Sequence, residues 1–439
     1  MVGMVTVDPT ELRRRLDALP AAAPLQRVLA GCGGAVYLVG GAVRDLACGE
    51  VPRELDLLVE DDPASLAKAL AGAGPEPGAA PEPGALPEPG AAPEAVRAHP
   101  RFGTATVSAG GFTYDVARAR TEHYERPGAL PSVSPADAET DLRRRDFTIN
   151  AIALALSPSR IGSLLAAPGA LDDLRSQTLR ILHSESFRDD PTRLLRLARY
   201  AGRLGFGIDP ETLEQAGIAI AGGALDTVSA ERIGTELRLL AAEPDPVRAF
   251  VTVSALGLDA ALAPGFGLTD AGVARRALEL LPGDGRPAVV VLAAATLGMA
   301  THDRNAMLSR WAFAAPQREA IAAAAGHAPT LAAALAAAGM PSEIAAAARP
   351  ETCEAVVLAA ALAGDRTRSQ ADAVRAARSW LEELRVVKLE LTGADLLAAG
   401  VPAGARVGAG LRAALAARLD GRVTGRTAEL AEALRVASA

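Results

Sequence analysis

VYLVGGAVRD (36–45) and ELDLLVE (54–60) are the two stretches from which the fold of the N-terminal part of this chain is read. Val36 to Val39 is a short apolar run suited to a buried strand, and it leads into Gly40-Gly41 and a short helix. Leu55 to Val59 predicts a second strand. Two glycines at a strand end let backbone N–H groups come close to phosphate oxygens. Arg44, on the helix that follows, carries a fork able to pair with a triphosphate. In Glu54-Leu55-Asp56 the strand period of two puts both carboxylates on one face. Paired acids opposite a phosphate cradle are what Mg²⁺ requires, and two such ions can activate an attacking hydroxyl and stabilise a leaving pyrophosphate. A glycine pair alone would be a plain turn, and an isolated Glu-x-Asp a solvated face. Their order and spacing point instead to metal-assisted phosphate chemistry.

Further along, residues 104–108 and 112–118 predict a hairpin with Gly110-Gly111 at its turn. Asp115 lies on its second strand. It is a third acid for the metal pair or a surface residue, since the sequence alone fixes no register. Between the second strand and this hairpin runs PEPGAAPEPGALPEPGAAPEA (75–95), whose prolines forbid helix and central strand, so an extended, mobile loop is expected. Residues 9–20 read as an amphipathic helix. After about residue 140 helical patterns take over, at 186–204, 229–242 and 272–282, then in alanine-rich stretches at 289–300, 316–337 and 354–363. The C-terminal LTGADLLAAGVPAGARVGAGLRAALAARLDG alternates short helices with Gly/Pro turns. The class is α+β: an N-terminal mixed unit, then an all-helical remainder.

Two more segments carry chemistry. In DLRRRDFTINAIAL (141–154) three arginines precede a polar-to-apolar switch, as at a helix start beside a charged cleft, and Arg145 is the best candidate to meet a phosphate. Alone, such a run is usually a solvated face. In FRDDPTRLLRLARYAGRLGF (187–206), Pro191 suits a first helical turn. Asp190, Arg193, Arg196 and Arg199 follow at intervals of three. Asp190 can accept from an exocyclic amine while Arg193 donates to the neighbouring ring acceptor. Cytosine and adenine present that edge. Guanine and uracil set a carbonyl against the carboxylate, and a buried polar group left unpaired costs about 1–3 kcal/mol. Arg196 and Arg199 would continue toward the phosphates. The plainer alternative is an intrahelical salt-bridge face.

Composition bounds the rest. The 439 residues are half apolar but only 3% aromatic, and the net charge of −7 excludes a chain coated in positive charge while leaving local patches open. Lys68 and Lys388 are the two lysines among 45 basic residues, so nearly every cation is a planar arginine. Cys32, Cys48 and Cys353 show no CxxC spacing, so neither a zinc site nor a disulfide framework is expected. The N-terminus lacks a signal-peptide run and no membrane span is expected, which makes the cytoplasm the default compartment. No protein partner is indicated.

Together, VGGAVRD, ELDLLVE, RFGTATV with DVARARTEHYERPGALPSV, RRDFTINAIA and DDPTRLLRLARYAGRLGF resemble the class II CCA-adding tRNA nucleotidyltransferases and the related bacterial poly(A) polymerases. ERIGTEL (231–237) and the C-terminal GADLLAAGVPAG…VGAGL extend the likeness, which runs continuously from about Val36 to Leu240. The resemblance implies a polymerase-β-like nucleotidyltransferase head, a mixed sheet with helices, over 25–140. An extension helix (1–24) would precede it, and the 73–95 insertion would interrupt it. A helical neck (141–245), body (246–380) and tRNA-binding tail (381–439) would follow. It implies Mg²⁺ as cofactor, ATP and CTP as substrates and the 3′ end and acceptor arm of tRNA as partner. Glu54 and Asp56 match the metal ligands; the strand reading adds Asp115 as the candidate third catalytic acid. Gly41, Arg44, Arg145, Arg196 and Arg199 match nucleotide contacts, to which the turn reading adds Gly40, and Asp190 with Arg193 matches the base-reading pair. Glu231 and Arg232 fall in a neck motif of support or tRNA contact. The segment His123 to Val133 falls where the family has a flexible loop. The family usually has aspartate where Glu54 stands. Relatives with a phosphohydrolase domain carry paired His-Asp motifs; His302-Asp303 stands alone, and no such domain is expected. Full CCA addition leads. A-only, CC-only or poly(A) addition and a catalytically silent RNA-binding homologue are the alternatives.

Overall fold

A computed structural model describes residues 5–73, 96–99, 103–109, 112–364 and 368–438. The insertion at 73–95, apart from its first residue, and the Gly110-Gly111 turn lie outside the described residues. The chain divides into two compact units, Met1–Ser229 and Ala230–Ala439.

In the first unit the strands include β1 (Val36–Val39), β2 (Leu55–Val59), β3 (Arg97–His99), β4 (Thr104–Ala109), β5 (Phe112–Arg118), β6 (Arg120–His123), β7 (Ser132–Pro135), β8 (Ile152–Ala155) and β9 (Leu164–Ala166). Seven of them form one sheet in the order β3-β4-β5-β2-β1-β8-β9. Every neighbouring pair in it is antiparallel except β2 and β5, which run parallel. All four residues of β1 are buried, as suits a central strand covered on both faces. The fold class is the expected one, a mixed sheet with helices followed by a helical unit.

Three local expectations are corrected. Helices were expected from about residue 140, yet the sheet takes β8 and β9 from beyond it. Ile152–Ala155 is a fully buried apolar run, and without a polar face such a run shows no period to separate strand from helix. The arginines of 143–145 close a helix rather than open one. Helix Ala138–Arg143 starts at Asp137, whose side chain accepts from Thr140 N, and it gives way to a single 3₁₀ turn at Thr148–Asn150 and then to β8. The helix read over 186–204 is broken into Ser186–Asp189 and Thr192–Leu204. Asp190 between them is extended, at φ −134° and ψ 92°, because the ring of Pro191 disfavours helical backbone in the residue before it.

The second unit is helical. Its longest helix, Ala315–Ala337, packs on Cys353–Ala363 and Arg368–Glu382. Among the described residues it alone is long and apolar enough to cross a membrane, and Ile321, Ala324, Leu331 and Leu335 along it are buried within the unit. Alanine and glycine let such helices approach closely. Buried Glu429 ties the C-terminal helices to the segment before them, accepting from Glu390 N (2.8 Å) and Leu391 N (3.3 Å) and pairing with Arg418. Gly234, on helix Ala230–Ala241, is the tightest contact: a Cβ there would lie 1.9 Å from the carbonyl oxygen of Trp311. Gly234→Ala should therefore cost about 1–3 kcal/mol of stability, as overpacking does. Thermal unfolding of the variant checks this; an unchanged midpoint would mean that the helix and Trp311 do not meet.

Candidate active site

The parallel pairing of β2 with β5 sets Asp56 directly beside Asp115. Glu54 precedes β2 and is exposed, whereas Asp56 and Asp115 are half-buried. One carboxylate oxygen from each of the three lies within 4.8 Å of the others, an arrangement able to hold a divalent metal ion. The register thus puts Asp115 with the acid pair. Thr106, opposite it on β4, donates from Oγ1 to Asp115 Oδ1 at 2.6 Å. Burial, then repulsion from Glu54, pushes the Asp56 carboxyl from 3.8 up to about 7, with Arg145 opposing the rise.

The glycine turn and the arginine run meet at the same place. Gly40 has φ +67° and its N–H donates to Ile152 O at 3.2 Å. A Cβ on it would stand 2.8 Å from Arg145 Nη1 and 3.7 Å from Asp56 Oδ2. Arg145 donates from Nε and Nη2 to Asp141 Oδ2 (3.3 and 3.1 Å) and from Nη1 to Asn150 O (3.4 Å). Asp141 is fully buried and also takes Arg144 at 2.6 Å. Arg144 reaches Glu122 of β6 at 2.6 Å as well, which fastens the β6–β7 hairpin to the arginine run.

Arg44 sits differently from what its motif suggests. Its side chain does not extend from the turn toward an open cradle. It is 1% exposed and donates from Nε and Nη2 to Asp45 Oδ1 (2.9 and 2.6 Å) and from Nη1 to Asn150 Oδ1 (2.6 Å). Those two acceptors and the close packing hold it within the unit. Gly41 lies above it, a Cβ there being 3.4 Å from Arg44 Nη2.

Asp190 and Arg193 come from the broken helix. Asp190 Oδ1 accepts from Thr192 N (3.1 Å) and Thr192 Oγ1 (2.7 Å). Arg193 is buried. It donates from Nη1 to Ser186 Oγ (2.7 Å) and from Nη2 to Arg144 O (2.8 Å), the carbonyl next to Arg145. Arg196 donates to Asp146 Oδ2 (2.6 and 2.9 Å) and to the Tyr200 hydroxyl (3.0 Å). Arg199 lies with its guanidinium 4.9 Å from the centre of the Tyr200 ring. Burial pushes the Asp146 carboxyl up, but Arg196 and the Asn150 hydrogen bond outweigh it and hold the group below the usual carboxylate range.

The eleven candidate metal, nucleotide and base-reading residues all lie in the first unit. Several that join them were read only as spacing: Asp45, Asp141, Asp146, Asn150, Tyr200 and Arg203. They complete a chain of contacts from Arg203 through Asp45, Arg44, Asn150 and Asp146 to Arg196. Their signal was present, since each lies inside a quoted motif, but nothing in a one-dimensional pattern says which polar residues pair internally. Glu231 and Arg232 lie in the second unit.

Residues 89–180 match the poly A polymerase head domain family. The chain is 39% identical over 224 residues to an A-adding tRNA nucleotidyltransferase of Geobacter sulfurreducens, covering 51% of this chain and 23% of that protein. It is 36% identical over 285 residues to a CC-adding tRNA nucleotidyltransferase of Deinococcus radiodurans, covering 65% of this chain and 68% of the relative. It thus spans about a quarter of the first relative's length and about two thirds of the second's. In fold it is similar to a CCA-adding enzyme in an apo form, with a TM-score of 0.77 at 24% identity over 99% of this chain and all of the other.

Two outcomes follow from this geometry. A cation held by Asp56 would have to displace its proton at low pH, because burial and Glu54 push that carboxyl from 3.8 up to about 7. Affinity for Mn²⁺, followed by electron paramagnetic resonance, should therefore fall by up to about tenfold per pH unit below about 7 and level off above it. An affinity constant down to about pH 5.5 would remove Asp56 from the ligand set. Gly40→Ala should strain the turn and displace Arg145, so a phosphate-bearing ligand held by Arg145, tested with ATP, should bind about tenfold or more weakly while Mn²⁺ affinity changes less. Equal losses of both would show that the turn serves the acids rather than the arginine.

Proposed function

This chain belongs to the tRNA nucleotidyltransferases, and from that premise we propose that it adds CCA, or part of it, to tRNA 3′ ends using CTP and ATP. The observation that carries this is the convergence at Gly40: three carboxylates, a side-chain-free turn and Arg145 share one small space.

In this reading Glu54, Asp56 and Asp115 hold divalent ions, Mg²⁺ in the cell, which when bound would polarise the attacking hydroxyl and neutralise the leaving pyrophosphate. Gly40 and Gly41 keep the ground beside Asp56 clear of side chains, so that a phosphate tail can lie close to it. Arg145, Arg196 and Arg199 supply positive charge for that tail, and Arg44 adds charge from beneath the turn. Asp190, held by Thr192, accepts from the amine of cytosine or adenine while Arg193 donates to the adjacent ring position. Guanine and uracil would leave a buried group unpaired, at a cost of about 1–3 kcal/mol. Nucleotide choice then needs no template strand.

Within the proposed layout, the neck (141–245) carries the base-reading helix, and the body (246–380) and tail (381–439) hold the tRNA acceptor arm by shape and backbone contacts. The segment His123 to Val133, largely the loop between β6 and β7, adjusts the site between one nucleotide and the next. The reaction takes place in the cytoplasm and involves no protein partner. A narrower product, A alone, is the second reading; the likeness to an A-adding enzyme favours it.

The test uses purified chain, Mg²⁺ and single nucleotides on tRNAs ending in the discriminator base, in C or in CC. Full CCA addition predicts CTP use on the first two and ATP use on the third; A-only activity predicts incorporation on the CC end alone. Asp56→Asn should lower transfer by at least about 10²-fold, and Glu54→Asp should stay within about tenfold of the parent. Failure to incorporate either nucleotide on any of the three tRNAs would reject the proposal.

A further inference from the structure

Tyr200 is the one aromatic ring in the first unit on which three guanidinium groups converge among the described residues. Arg199 lies 4.9 Å from its ring centre, Arg44 5.2 Å and Arg196 5.5 Å. Arg196 and Arg199 belong to its own helix, one turn and one residue before it, while Arg44 comes from the helix after the glycine turn. The ring is 8% exposed, and Phe147, from the segment that follows Arg145 and Asp146, meets it edge-on at 5.8 Å and 87°. Its hydroxyl accepts from Arg196 Nη2 at 3.0 Å.

Three like charges around one point repel one another. Asp45 and Asp146 offset part of that by pairing with Arg44 and Arg196. The negative face of an aromatic ring offsets more, and it does so without using a carboxylate that would cancel the charge a phosphate tail needs. The ring also joins elements that are far apart in sequence: the turn helix, the arginine-run segment and the base-reading helix.

We propose that Tyr200 is a positioning residue that holds Arg196 and Arg199 beside the site, with Arg44 buried beneath the glycine turn behind them, as one cationic group for the triphosphate of the incoming nucleotide. This rests on the reading of the site given above. It differs from a merely structural part in what it predicts. Loss of the ring's negative face, with its shape retained, should weaken triphosphates selectively and leave ligands without the phosphate tail unaffected.

The experiment compares Tyr200→Phe with the chain carrying pentafluorophenylalanine at the same position. The two rings have closely similar shapes, but fluorination reverses the charge of the face. Dissociation constants for ATP, CTP and AMP are measured by titration calorimetry, and circular dichroism reports the fold. Tyr200→Phe should bind ATP and CTP within about threefold of the parent, and the fluorinated ring should weaken both by about tenfold with AMP unchanged. Equal triphosphate affinity in the two variants would overturn the inference, as would parallel weakening of AMP. A parent chain that binds neither ATP nor CTP would overturn the nucleotidyltransferase reading itself, and this inference with it. A parent that binds both while fluorination changes nothing overturns this inference alone.

Discussion

Asp56 and Arg145 face each other across Gly40, and most of the first unit is arranged to make that approach possible. A carboxylate drawn half into the protein beside two other acids resists ionisation, which is why Asp56 titrates near 7. A guanidinium nearby lowers that cost only if it is held in place. Arg145 is held by Asp141, which is fully buried and shared with Arg144. The site is therefore not a set of acids on a sheet edge. It is a balance of charges running from exposed Glu54 through half-buried Asp56 and Arg145 to fully buried Asp141, in which the arginines are oriented by their partners.

Arginine suits that balance better than lysine would. Arg44, Arg144 and Arg193 each bond two different partners at once, on different elements of the fold. A planar fork with five donors can do this, whereas an ammonium is a flexible point charge. Lys68 and Lys388 lie outside this network. At these buried or half-buried positions the geometry itself favours arginine. Ion pairs of this kind contribute little net stability once desolvation is counted. What they add here is placement of the glycine turn, the arginine run and helix Thr192–Leu204 relative to one another.

Much of this was legible in the sequence, for identifiable reasons. β1 is an apolar run that stops at Gly40, and β2 an apolar run interrupted only by Asp56 and set between Glu54 and Glu60, so Val36–Val39 and Leu55–Val59 were readable to the residue. Asp115 was readable as a candidate but not as a neighbour of Asp56, because pairing register depends on strands distant in sequence. The alanine-rich β8 looked no different from a helix. The helix break at Asp190 was signalled by Pro191 but masked by the three-residue spacing of the arginines that follow. That spacing matters for Arg193, Arg196 and Arg199 once the helix resumes; Asp190 reaches the same region as an extended residue anchored by Thr192, not as a further helical position.

Glu54 shows how a departure from a family pattern can be weighed physically. Aspartate would be needed if the backbone at 54 were fixed in the sheet at the same distance as that of Asp56. It is not: Glu54 precedes β2, outside the ladder that fixes Asp56 beside Asp115, and its side chain is exposed. A longer, unconfined side chain can bring its carboxylate to the common centre by choice of rotamer, and an oxygen of Glu54 does lie within 4.8 Å of those of the two aspartates. The extra methylene thus falls where the fold has slack. At Asp56 or Asp115, packed between neighbouring strands, the same change would have to push against the sheet.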